Sequence, residues 1–241
     1  MSRRAGSASG ATLGILMLET RFPRIPGDIG NPATWPFPVL YRVVGGASAE
    51  RAVLQDAREL LPDFIEAARE LVQLGAEAIT TSCGFLVLFQ RELAAAVDVP
   101  VATSALLQVP WLQSTLPPGR RVGVVTISAA TLTPQHLAAA GAAPDTPLAG
   151  VEHGRELYRV LVEDQGGGLD CARAEQDVVD AGRALVAQHP EVGAIVLECT
   201  NMPPYAAALQ AAVGLPVYDI CSMITWLHAG LRPRRYAANR T

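Results

Sequence analysis

Leu13-Gly-Ile-Leu-Met-Leu18 and Val122-Gly-Val-Val-Thr-Ile127 are one short apolar pattern written twice, each with glycine in second place. Runs of six largely apolar residues are too short for a buried helix and suit a strand covered on both faces of a parallel sheet. Working outward, each run is followed by a matching set of elements. Pro62–Leu74 places Phe64, Ile65, Ala68, Leu71 and Val72 on one helical face and stops at Gly75. Ala172–Gln188 is amphipathic through Val178, Val179, Leu185 and Val186 and ends before Pro190. Each helix feeds a strand that ends at a cysteine: Ala78–Thr81 leads to Cys83, and Gly193 leads to Cys199. A further strand at Val99–Ala102 has its counterpart in Gly214-Leu-Pro-Val217. The offsets agree: Cys83 and Cys199 are 116 residues apart, Pro100 and Pro216 also 116, and Gly14 and Gly123 109. The chain is an internal repeat of two α/β halves, with strands alternating with helices as parallel sheets require.

The composition narrows the chemistry. In 241 residues, half of them hydrophobic, there is material for one large core or two small ones. The net charge of −4 and the scattered basic residues give no footprint for nucleic acid. All 19 basic residues are arginine, so pyridoxal-phosphate, Walker A and Schiff-base aldolase chemistry, each of which needs a lysine, are excluded. Cys83, Cys171, Cys199 and Cys221 have no Cys-x-x-Cys spacing and read as free thiols of a cytoplasmic protein. The four histidines never fall at metal-ligand spacing, so no metal is expected. No apolar run approaches the roughly 20 residues needed to span a bilayer.

Residues 1–11 read as a loose tail. The expected domains are 12–108 with 217–241, and 109–216. Arg21–Pro38 holds five prolines and reads as a long structured loop after the first strand, a place where function often sits. Gln165–Leu169 reads as a flexible connection.

The chemistry gathers at the matched cysteines. Thr80-Thr81-Ser82-Cys83-Gly84-Phe85 and Leu197-Glu198-Cys199-Thr200-Asn201 stand at the carboxyl ends of equivalent strands, where open α/β sheets bind ligands. A helix beginning there offers free N–H groups that lower a thiol pKa or hold a carboxylate. A pseudo-twofold between the halves would face the two thiols across one cleft. One thiolate could then take a proton from a carbon acid while the other thiol returns one to the opposite face.

The repeat, the two strand-end cysteines and Cys199-Thr200-Asn201-x-Pro203 resemble the aspartate/glutamate racemase superfamily, which also contains hydantoin racemases, maleate isomerases and arylmalonate decarboxylases. The resemblance runs from about Thr12 to Trp226. It implies two flavodoxin-like domains around an active-site cleft, with Cys83 and Cys199 as the catalytic pair, no cofactor, a small carboxylate substrate and a homo-oligomer. Glutamate racemases carry Asp-Ser-Gly, Cys-Asn-Thr and Cys-Thr-His where this chain has Glu19-Thr20-Arg21, Cys83-Gly84-Phe85 and Cys199-Thr200-Asn201, so glutamate is not implied as substrate. Glu19, Thr20, Arg24, Ser82, Gly84, Phe85, Thr126, Thr200 and Asn201 are the expected substrate-binding residues. Arg21 and Arg24 are candidate carboxylate clamps, and Trp35, Phe37 and Phe85 a candidate apolar wall. The leading expectation is an isomerase, a cofactor-independent racemase or epimerase of an amino acid or hydantoin-like compound. The alternatives are a same-fold isomerase, decarboxylase or lyase using one thiolate as nucleophile, and a non-catalytic ligand-binding protein.

Overall fold

All six residues of Leu13–Leu18 are buried, as a strand covered on both faces demands. This comes from a computed structural model, which describes residues 12–55, 57–163 and 168–233. The expected tail at 1–11 and residues 165–167 of the expected flexible connection lie outside the described residues. The first half contains β1 (Leu13–Leu18), β2 (Val39–Val44), α1 (Ala49–Leu54), α2 (Leu61–Gln73), β3 (Ala78–Thr81), α3 (Gln90–Ala96) and β4 (Val101–Ala102). The second contains α4 (Val109–Thr115), β5 (Arg121–Thr126), α5 (Pro134–Ala139), β6 (Leu148–Gly150), α6 (Leu157–Leu161), α7 (Cys171–Gln188), β7 (Val192–Leu197), α8 (Ala206–Val213) and β8 (Val217–Tyr218), and α9 (Ile220–Leu231) follows.

The two sheets have the same order, β2-β1-β3-β4 and β6-β5-β7-β8, and every pairing is parallel. This is the flavodoxin-like order, whose reversal between the first and third strands opens a crevice at their carboxyl ends. The repeat extends to the packing. A Cβ on Gly14 would lie 2.6 Å from Ile79 Cδ1 and 3.2 Å from Leu71 Cβ; one on Gly123 would lie 2.8 Å from Leu185 Cδ2. Each glycine lets the helix of its own half, α2 or α7, settle closely on the central strand.

The edge strands β2 and β6 escape the sequence reading. β2 emerges from a proline-rich loop with five of its six residues exposed or partly so, and β6 is only Leu-Ala-Gly, without a β-branched residue. β4 is shorter than the expected Val99–Ala102, beginning at Val101. Val217–Tyr218 pairs with β7 and so belongs to the second sheet, which corrects the expected boundary at 216/217. The helix after it returns to the first half: Gln108 donates to the Asp219 carbonyl at 2.9 Å, and His228 stacks on Phe37 at 3.7 Å. Among the described residues no helix is long and apolar enough to cross a membrane.

Candidate active site

Threonine side chains seat the first cysteine. Thr80 and Thr81 donate to the carbonyls of Ala102 and Thr103, each at 2.7 Å, which ties the end of β3 to the segment beside it. Cys83 then follows in extended conformation, and a 3-10 turn begins at Gly84. In the second half β7 ends at Leu197, and Cys199 leads into a segment with a 3-10 turn at Pro203–Tyr205. The residue before each cysteine does equivalent work. The Leu18 N–H donates to Ser82 Oγ at 2.8 Å, and the Ile127 backbone, 109 residues on, approaches the Glu198 carboxyl. Thr200 Oγ1 donates to the Ser82 carbonyl at 2.7 Å, and the Ile29 N–H donates to the Thr200 carbonyl, so the halves are joined at the cysteines themselves.

Between them lies a cavity with room of about 30 Å³, lined by both thiols, Glu198, Arg24 and Phe85, with Leu161 among its apolar walls. That is space for about two water molecules. A wider mouth of about 310 Å³, lined by Glu19, Arg21 and Phe22, opens beside it, and Leu161 and Val162 border both spaces. These two residues are positioned by α7. The Asp177 carboxylate accepts from the N–H groups of Arg155, Glu156 and Leu157 at 2.8, 2.8 and 2.9 Å, capping the start of α6. Leu161 and Val162, at the end of that helix, thus stand between the cavity and the wider space.

Burial dominates the electrostatics. The Cys83 thiol is pushed up to about 12 by burial and then by the nearby Glu198; the N–H groups of Phe85 and Leu86, and Arg24, act against this. Cys199 is raised well above its ordinary value for the same two reasons, with the Asn201 N–H opposing. Burial also raises Glu198 to about 7, against which Thr126 and the Ile127 backbone pull. A polar chain reaches Cys199 from the loop after β1. Arg24 donates to Thr20 Oγ1 and Asp28 Oδ1, both at 2.9 Å, and lies 4.6 Å over the Phe22 ring. Asp28 Oδ2 accepts from Asn201 Nδ2. That bond orients the amide, leaving Asn201 Oδ1 to accept from the Cys199 thiol at 3.5 Å.

Of the expected residues, Thr20, Arg24, Ser82 and Gly84 border the cavity. So do Phe85, Thr200, Asn201 and the two cysteines. Glu19 is outside it, at the mouth, where its carboxylate accepts from the Gly46 N–H at 2.8 Å. Thr126 stands behind the cavity and donates to Glu198 Oε2 at 2.7 Å. Arg21 is exposed at the mouth. Trp35 and Phe37 do not form the wall: the Trp35 indole donates to the Ile29 carbonyl, and Phe37 is stacked on His228. Glu198, Phe22, Leu161 and Val162 were missed. For Glu198 a signal was present, because the repeat pairs it with Ser82 at the 116-residue offset and so places a carboxylate where the other half has a hydroxyl.

Gly84 carries a direct expectation. A Cβ there would lie 2.1 Å from Glu198 Oε1 and 2.6 Å from the Glu198 carbonyl oxygen. Gly84→Ala is expected to destabilise the fold by about 1–3 kcal/mol through overpacking, read from the denaturant midpoint. Glu198 itself carries a second. A carboxyl raised from 4.5 to about 7 stays neutral in the folded state where the unfolded chain ionises, so stability is fullest below 4.5 and falls as pH rises to 7. Glu198→Gln removes that loss, about 3 kcal/mol when complete. Its melting temperature is expected to exceed the wild type's at pH 8 and to converge with it near pH 4.5.

Two flavodoxin-like halves closed on a pair of strand-end thiols define a class, and comparison with known proteins agrees. The family model for Asp/Glu/Hydantoin racemase matches residues 111–227. The chain is 31% identical over 225 residues to a dimethylsulfoniopropionate lyase of Durusdinium sp. clade D, covering 87% of this chain and 71% of that protein. The chain belongs to the aspartate/glutamate/hydantoin racemase family. It is also 28% identical to dimethylsulfoniopropionate lyase 5 of Emiliania huxleyi (strain CCMP1516), over 95% of this chain and 46% of that protein, so it spans about half of that relative's length. Among solved structures, arylmalonate decarboxylase superposes with a TM-score of 0.60 at 15% identity, covering 95% of this chain and 96% of that one. An aspartate racemase homologue from Pyrococcus horikoshii OT3 superposes with a TM-score of 0.55 at 16% identity, covering 91% and 98%. These two likenesses concern the fold. The expected assignment to the isomerases is corrected by the sequence relatives, which are named as lyases.

Proposed function

We propose that the protein is a lyase that removes the α-proton of a small carboxylate and expels a leaving group from the β-carbon, with dimethylsulfoniopropionate as the substrate its relatives' names suggest. The observation that carries this reading is the pair of thiols, one from each half, bordering one small cavity, in a chain 31% identical to a lyase of that name. A thiolate of the Cys83/Cys199 pair takes the proton from Cα. The Cα–H electrons form the Cα=Cβ double bond, and the Cβ–S bond breaks with its pair leaving on sulfur. The products are acrylate and dimethyl sulfide, with the proton held on the thiol until solvent removes it.

Elimination asks less of a site than racemisation, because nothing must be returned to the opposite face of Cα. It does need charge near the carboxylate, whose oxygens take up electron density as the proton leaves. Arg24 is the cation bordering the cavity, held in place by Asp28 and Thr20, and is assigned that part. The cationic substrate supplies a second electrostatic effect: a positive sulfonium beside a buried thiol lowers the thiol's pKa, opposing the burial that raises it. Exclusion of water by Phe85, Leu161 and Val162 strengthens both effects.

The test is direct. Purified protein is incubated with dimethylsulfoniopropionate, with acrylate followed by proton NMR and dimethyl sulfide in the headspace. Equimolar release of the two is expected, and absence of both would overturn the reading.

A further inference from the structure

We propose that Glu198 is a specificity-determining residue, the buried counter-charge for a permanent cation on the β-carbon of the substrate; this rests on the lyase reading above. The Glu198 side chain is fully buried and borders the cavity between the two thiols. Its Oε2 is held by Thr126, while its Oε1 has no hydrogen-bond partner among the described residues. Oε1 lies against Gly84, beside Cys83, where only the absence of a side chain leaves it room. Arg24, the cation bordering the same cavity, is already engaged by Asp28 and Thr20. A buried carboxylate oxygen left without a donor is costly unless a charge arrives to meet it.

A sulfonium or quaternary ammonium group in the cavity suits that unpartnered oxygen in chemical terms. It has no N–H or O–H to donate and cannot lose its charge, so it is recognised by charge and close dry contact, and a carboxylate oxygen already saturated with donors would serve it less well. A neutral group of the same shape gains nothing from Glu198, which then stays protonated. The raised pKa of Glu198 agrees with a site that awaits its cation. The leaving group loses its positive charge as the C–S bond breaks, so this contact favours the bound substrate over the transition state. It therefore acts on affinity and KM more than on kcat.

The test separates recognition from turnover. Calorimetry measures binding of 3-(trimethylammonio)propionate and of 4,4-dimethylpentanoate, its isostere with an uncharged head group, to wild type, Glu198→Gln and Glu198→Ser. The serine variant gives the second half the residue the first half carries at Ser82, a side chain already shown to accept the strand N–H there. Wild type is expected to prefer the cation by about 10- to 100-fold, the range of a charge-assisted contact. Both variants are expected to bring the ratio to within about twofold of one, chiefly by weakening binding of the compound with the cationic head group. A preference that persists in a folded variant, equal binding by wild type, or loss of the fold in both variants would overturn the proposal. Acrylate release is scored separately. The binding preference without acrylate would remove the lyase reading and keep the counter-charge, and acrylate without the preference would do the reverse.

Discussion

Cys83→Ser and Cys199→Ser are each expected to lower kcat/KM for acrylate release by ~10²–10⁴-fold, the contribution of a positioned acid or base. A serine hydroxyl holds its proton far more tightly than a thiol, so the exchange removes the base while keeping the shape of the turn. Both cysteines are more than nine-tenths buried, and the contacts around them come largely from the backbone. The variants are therefore expected to fold, with circular dichroism spectra like the wild type's. The thiols share one cavity and each feels the same carboxylate, so they are expected to act as a unit. The double variant is expected to be no worse than the weaker single one. Full activity in either single variant would remove that thiol from the chemistry, and additive losses would mean two independent roles.

The second large effect is in pH. Both free-enzyme thiols are raised, Cys83 to about 12, chiefly by burial. The reactive form is the deprotonated one, so across the neutral range each pH unit raises the thiolate fraction about tenfold. For the wild type, kcat/KM is expected to climb roughly 100-fold from pH 7 to 9 without a plateau. Glu198, at about 7, adds a second proton on the acid side, so the slope should steepen below pH 7. The assay stays at or below pH 9, because groups whose folded pKa is raised lose stability as pH climbs from their ordinary value, 9 for a thiol, toward the folded one. A flat profile between pH 6 and 8 would show that a thiolate is already present in the free enzyme.

Much of the fold could be read from the chain because it is written twice. The buried runs of β1 and β5, the amphipathic faces of α2 and α7 and the two strand-end cysteines are local patterns, and their common offsets made the repeat visible. The edge strands were not legible, since one-sided exposure and a three-residue length leave little periodicity to detect. Glu198 was passed over for a different reason. Its burial depends on Thr126 from the neighbouring strand and on Gly84 from the other half, neither of which is near it in sequence. Arg24 is legible as a candidate clamp, but its pairing with Asp28 across one turn of the loop is not. The proposed reaction class is the least legible in the sequence, because racemases and β-eliminating lyases begin with the same proton abstraction from Cα. What separates them is whether the substrate carries something that can leave from Cβ.

The most direct measurement of the central claim is NMR of dimethylsulfoniopropionate deuterated at both α positions, turned over by the wild-type protein in ordinary water. Elimination by a cleft thiolate should give dimethyl sulfide and acrylate bearing a single deuterium at C2, formed more slowly than from unlabelled substrate. Replacement of the α-deuterium by solvent hydrogen in unchanged substrate, with no acrylate, would contradict it: the thiols would then transfer protons without expelling the leaving group.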